Sequence, residues 1–285
     1  MRMTGAQYHA ASAKSFQSAG RELIMPIGDG ITEFECGAQF TGVSIWGTTL
    51  AVAAYNQPAV CLLECTVEAD RLILSEQKIA GVMYRKRFRS ISSISWRMFR
   101  DVLQPMGANR MQTVVMRSDR ELGLIRGTER AIHWIEEKAD GRWHFKEREA
   151  LPESGYELVH SAVLFDDGRL WTIEARNGLE EAALCEYESG IFIRATPMLL
   201  WMYGIAVRKK DDAMFTVTDY RFRDSAYGIY IDGVLTVPDV IGNGIALLDG
   251  GKKGAVVVRY GESHPSPLYG KPGAIIYVPP HLLTP

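Results

Sequence analysis

The side chains of this chain that could do chemistry stand apart from one another. Glu262, Ser263 and His264 are adjacent and supply the types of a nucleophile and a base. No Gly-x-Ser-x-Gly turn surrounds them, so nothing would lift the serine into a reactive position. His133 and His144 fall on successive extended segments and are expected to face each other across two strands. Cys36, Cys61, Cys65 and Cys185 are irregularly spaced. Cys61 and Cys65 share one face of a strand but lie too far apart for a disulfide. No second pair or histidine set stands at zinc spacing, so the cysteines read as small buried hydrophobes. Gly250–Gly251 with Lys252–Lys253 reads as a hairpin turn with exposed lysines, since no strand-to-helix phosphate loop surrounds it. No metal or cofactor is expected.

The elements that would have to position these groups repeat. Thr41–Gly81 and Thr113–Pro152 share an order of events: apolar strand, turn, apolar strand, polar gap, apolar strand, acidic or glycine turn, fourth strand. Ser161–Pro197 and Ile205–Gly242 repeat it, and a fifth copy starts at Ile245 and resumes at Gly273–Pro280. A four-strand repeat of about forty residues resembles a β-propeller blade. The resemblance implies an all-β, five-bladed β-propeller, and it rests on the fold alone. The fifth copy is a strand short, and Arg21–Gly28 is expected to supply it, so that the ring leaves no open edge. Asp-Gly at 140–141, 167–168, 232–233 and 249–250 supplies hairpin chemistry. The competing arrangement is a pair of β-sandwiches.

Bulk properties set limits. With 285 residues and 47% apolar residues the chain can bury a real core. A net charge of −2 gives no general reason to bind nucleic acid or an anionic membrane. No stretch is long and apolar enough to span a bilayer, and the first twenty residues lack the apolar core of a signal peptide. The expected location is the cytoplasm, or a virion into which the chain is incorporated.

The first repeat interval is too long by about thirty residues, and the excess is an insertion at 81–110, between blades 1 and 2. It opens with Arg85, Lys86, Arg87 and Arg89 around Tyr84 and Phe88. Trp96, Phe99 and Leu103 then recur at helical spacing over Ser95–Gln104, and Pro105 ends the run. Arg85, Lys86, Arg87, Arg89 and Trp96 are the candidate partner-docking residues. Residues 1–20 read as an N-terminal arm before a single domain over 21–285, and the proline-containing tail reads as a second, extended arm.

Five-bladed propellers include sugar-cleaving and sugar-binding families. An inverting glycosidase needs two carboxylates across a cleft. The starts of the inner strands, around the axis, are held instead by Gln39, Thr41, Arg110, Gln112, His160, Tyr203 and Asn243, with Glu157 as the nearest acid. Glu33 and Glu35 lie on a segment away from the axis. Catalysis is therefore not expected, and His160, Gln112, Tyr203 and Asn243 are the candidate small-ligand residues. Asp166–Trp171, DDGRLW, is similar to the Asp box of sialidase-like propellers at Asp166, Gly168 and Trp171, with Leu164 in the serine place. In that family the box is a turn device. Lectin propellers repeat one binding motif per blade, whereas these blades diverge; most of their tryptophans are expected to fill gaps between blades.

Together these readings give a non-catalytic propeller that docks other protein subunits through the arm and the insertion. Its shape resembles the ring domains of bacteriophage tail hub, nozzle and fibre-attachment proteins. The alternatives are a glycan-binding lectin-like propeller and, behind it, a glycoside hydrolase.

Overall fold

The structure is a computed structural model. It describes residues 24–28, 30–35, 40–54, 59–69, 71–80, 113–126, 129–176, 181–198, 202–218, 227–260 and 273–284. The N-terminal arm, the insertion with Arg85, Lys86, Arg87, Arg89 and Trp96, and Gln112, Cys36 and Glu262–His264 lie outside the described residues.

Two N-terminal strands, β1 (Ile24–Gly28) and β2 (Ile31–Glu35), precede the repeats. Blade 1 is β3 (Phe40–Trp46), β4 (Thr49–Ala54), β5 (Ala59–Glu68) and β6 (Arg71–Ala80). Blade 2 is β7 (Thr113–Ser118), β8 (Glu121–Arg126), β9 (Ala131–Glu137) and β10 (Trp143–Ala150). Blade 3 is β11 (Leu158–Leu164), β12 (Leu170–Ala175), β13 (Ala182–Glu188) and β14 (Ile191–Met198). Blade 4 is β15 (Met202–Arg208), β16 (Ala213–Thr218), β17 (Gly228–Ile231) and β18 (Val234–Pro238). Blade 5 carries β19 (Gly244–Leu247), β20 (Ala255–Arg259) and β21 (Ala274–Val278). The strands form five separate antiparallel sheets, a five-bladed β-propeller.

Burial falls from the axis outward, which explains the hydrophobic pattern. The inner strands β7, β15 and β19 are buried over most of their length, and so read as continuous apolar runs. The outer strands β10 and β14 are largely exposed and polar. Hairpins follow the turn chemistry: Asp232 and Gly233 join β17 to β18, with φ of 49° and 82°. That pair of left-handed residues is the geometry Asp-Gly accepts most readily.

The inner strands meet in the order β3, β7, β11, β15, β19 and back to β3. Small residues let them approach at one level: Gly42, Thr113, Ser161, Gly204 and Gly244. A Cβ on Gly204 would come within 2.7 Å of the Gly244 Cα, and one on Gly42 within 2.7 Å of the Thr113 Cα. Between blades 3 and 4 the Ile205 N–H donates to Ser161 Oγ at 3.2 Å. Five blades close the ring here backbone against backbone.

Blade 5 differs from expectation. The strand beside β21 is β2, Ile31–Glu35, and the described part of Arg21–Gly28, β1, lies outside it as a fifth strand. The C-terminal tail is not an extended arm either. Pro280–Leu283 makes a 3-10 turn, and Leu283 is buried in the core shared by blades 4 and 5. No helix among the described residues is long and apolar enough to cross a membrane.

Candidate functional site

At the starting end of the inner strands a bulge recurs. The pairing register shifts around Thr41 in β3, His160 in β11 and Tyr203 in β15, so each is the extra residue of its strand. Bulges re-aim a side chain and favour functional rims. Asn243 immediately precedes β19 in the same place; its N–H donates to the Val258 carbonyl at 2.8 Å, and its Oδ1 accepts from the Tyr260 N–H at 2.9 Å. The His160 and Tyr203 rings meet edge to face at 4.6 Å. Thus the candidate ligand residues His160, Tyr203 and Asn243 share one end of adjacent inner strands, and Gln112 lies outside the described residues. Glu157 is exposed.

At the opposite end of the strands lies a cleft of about 270 Å³ between blades 2 and 3, reaching Trp46 of blade 1. Its floor is apolar, with Ile132, Trp134 and Leu170, and Phe165 also lines it. Arg117, Glu149 and Asp166 supply the polar lining. Arg117 is the bulged residue of β7. Its guanidinium lies 3.6 Å from the Trp134 ring centroid and donates to Glu121 at 3.1 Å, Glu149 at 3.3 Å and Glu147 at 3.5 Å. Trp134 Nε1 donates to Glu149 at 2.7 Å. Lys209 pairs with Asp166 at 2.5 Å, with its ammonium 6.0 Å from the Trp46 ring centroid.

The sequence reading missed this cleft because its walls come from three blades. The turn in DDGRLW forms part of one wall: Asp166 lines the cleft, Asp167 accepts from the Arg169 N–H at 3.0 Å, and Trp171 packs on Phe165 at 5.1 Å. The Arg169 contacts hold the Asp167 carboxyl below its ordinary value. Trp134 and Trp143 are buried as gap fillers, but Trp46 is 40% exposed.

The buried carboxylates are held by arginines. Glu174, on β12, accepts from Arg130 at 2.6 Å, Ser154 at 2.5 Å, Thr172 at 2.7 Å and Tyr187 at 2.6 Å. Arg130 comes from the β8–β9 turn, so this network fastens blade 2 to blade 3. Burial works against the Arg130 charge, but Glu174 outweighs it and the pKa rises. Burial, then Glu174, also pushes the Tyr187 hydroxyl up. Glu33 is held in the same way by Arg259.

His133 and His144 do not face each other: His133 opposes Arg148 and His144 opposes Glu136. The register of β10 on β9 places His144 four positions along the strand from Arg148, the residue opposite His133. His133 is buried, with Nε2 3.2 Å from Glu129. Cys61, Cys65 and Cys185 are buried. Burial lifts the Cys65 thiol to about 11, and burial with Glu174 nearby lifts Cys185 to about 12, so both are protonated and inert at neutral pH. Among the described residues no group of three or more His, Cys, Asp or Glu is placed to hold a metal ion.

No family model matches the sequence. No curated protein matches it either. Among solved structures, the chain is similar to a Xanthomonas campestris gluconolactonase, with 13% identity over 90% of this chain and 84% of that one, at a TM-score of 0.41. It is also similar to Myxococcus xanthus glutaminyl cyclase, with 9% identity, 90% and 97% coverage and a TM-score of 0.44. A luciferin-regenerating enzyme gives 10% identity, 85% and 91% coverage and a TM-score of 0.42. At such identity and TM-score, no activity passes from these proteins to this chain.

Proposed function

We propose that the chain is a non-catalytic β-propeller that docks onto another protein through the outer rim of blade 3. The observation that carries this reading is β14. Ile191 is 64% exposed and Ile193 52%, on the outermost strand of a sheet whose inward side chain, Phe192, packs on the core. Ile193 is the extra residue of a bulge between Phe192 and Arg194, which disrupts the ladder there. A bulged edge resists strand-on-strand addition, so the contact is made by the side chains. Charged Glu186 and Arg194, paired at 2.6 Å, supply the polar rim typical of protein interfaces.

The test is the double substitution Ile191→Lys with Ile193→Lys, expressed at native level in the chain's own cells. The parent chain is expected to elute at the mass of a complex and the variant at the mass of the free chain. Identical elution of a folded variant and its parent would sink the proposal.

A further inference from the structure

We infer that the cleft between blades 2 and 3 is a binding site for a neutral sugar ring, with Trp46 as its stacking platform. This inference does not rest on the docking reading, and its test stands apart from the docking test.

Three observations lead here. The first is size: about 270 Å³ is near the lower end of small-molecule sites, which run from roughly 300 to 1,000 Å³. One ring fits that space; a folded segment of a partner does not. The second is charge. Arg117 is met by Glu121, Glu147 and Glu149, and Asp166 by Lys209. Each of these charges is already paired and the acids outnumber the bases, so an anionic ligand is repelled and a cationic one would have to compete with Arg117 or Lys209 for a carboxylate. A neutral ligand with hydroxyls loses nothing, because a paired carboxylate still has lone pairs to accept from them. Asp166 has a side chain 63% exposed, and that of Glu149 is 36% exposed, so both remain reachable.

The third observation is the arrangement of rings. Trp134 is buried beneath Arg117, and Phe165 lies against Trp171, so neither offers an open face at the mouth. Trp46 is the last residue of β3 and stands 40% exposed beside Asp166 and Lys209. An exposed indole with hydrogen-bonding groups next to it matches a pyranose, which has one apolar face of C–H groups and an equatorial belt of hydroxyls. Arg117 is placed by a bulge, a local distortion that re-aims a side chain and is over-represented beside functional sites.

The experiment titrates the full chain with methyl α-glucopyranoside, galactose, mannose and N-acetylglucosamine, each to tens of millimolar. Tryptophan fluorescence and calorimetry report binding, and phenol serves as a flat, non-sugar control. At least one sugar is expected to bind saturably, with a Kd on the order of 1 mM or tighter, and more tightly than phenol. Trp46→Ala should weaken it at least tenfold with the melting temperature unchanged, and Asp166→Ala, at an exposed carboxylate, should weaken it severalfold. Asp166→Ala decides the matter alone if Trp46→Ala does not fold. No saturable binding of any of the four sugars overturns the inference, as does binding that survives the variants. Equal or tighter binding of phenol also overturns it, and would assign the cleft to an aromatic side chain of a partner.

Discussion

Arg259 grips Glu33 across β21 with both guanidinium nitrogens, one at 2.9 Å, although the two residues are 226 positions apart. Arg259 is 2% exposed and Glu33 5%. The pair fastens the N-terminal strand β2 to the last blade, so it joins the two ends of the ring. Removing one partner leaves a buried charge without its counterion, a loss of about 3–5 kcal/mol. Arg259→Met alone should therefore lower the denaturation midpoint strongly. The double variant Arg259→Met with Glu33→Leu should recover much of the loss. Equal losses in both would show that the pair does not close the ring.

A second prediction concerns the Glu174 network. Glu174→Gln keeps the shape but leaves Arg130 facing a neutral group, so it should destabilise the chain severely, on the scale of about 3–5 kcal/mol. Tyr187→Phe removes one hydrogen bond and should cost about 1–3 kcal/mol. Chemical denaturation of the two variants checks the order; a larger effect from Tyr187→Phe would contradict it.

The inner ring sets a third expectation. Gly204→Val forces a side chain into the 2.7 Å approach to the Gly244 backbone. Overpacking of this kind costs typically 1–3 kcal/mol and more where only backbone can yield. The same substitution at Gly47, where an added Cβ meets nothing within 4 Å, tests a turn instead. Its φ of +59° makes its cost one of backbone strain, not packing. Melting curves should show loss at both, with cavity-filling relief impossible at Gly204. Full stability of Gly204→Val would refute the tight closure.

His133 gives the chain an acid-side sensitivity. Burial pushes its pKa below the ordinary 6.5; Glu129 only partly offsets this, and the positive charges of Arg148 and Arg126 add to the lowering. The unfolded chain then binds the proton more readily than the folded one. Stability contributed by neutral His133 is complete above 6.5 and is lost as the pH falls through that value towards the lower folded pKa. The melting temperature should begin to fall near pH 6.5, and in His133→Gln only lower, in the carboxylate range. Superimposable pH profiles would rule out His133 as the cause.

The blades were legible because burial writes itself into composition. Val256, Val257 and Val258 are fully buried and form an uninterrupted apolar run, and Asp232–Gly233 announces its hairpin. The closing strand was not legible in the same way. Arg21–Gly28 and Ile31–Glu35 are both short strand-like runs, and the choice between them depends on Arg259, far along the chain. The candidate residues His160, Tyr203 and Asn243 were found because they precede equivalent inner-strand positions. The bulges at His160 and Tyr203 left no local signal. The cleft was invisible for the same reason as the closing strand: Trp46, Arg117 and Asp166 meet only once three blades are in place.

The most direct measurement of the docking role is hydrogen–deuterium exchange of the chain in its native complex, compared with the purified chain. Ile191–Met198 is expected to gain protection in the complex while β10, the outer strand of blade 2, does not. Equal exchange of Ile191–Met198 in both states would contradict it.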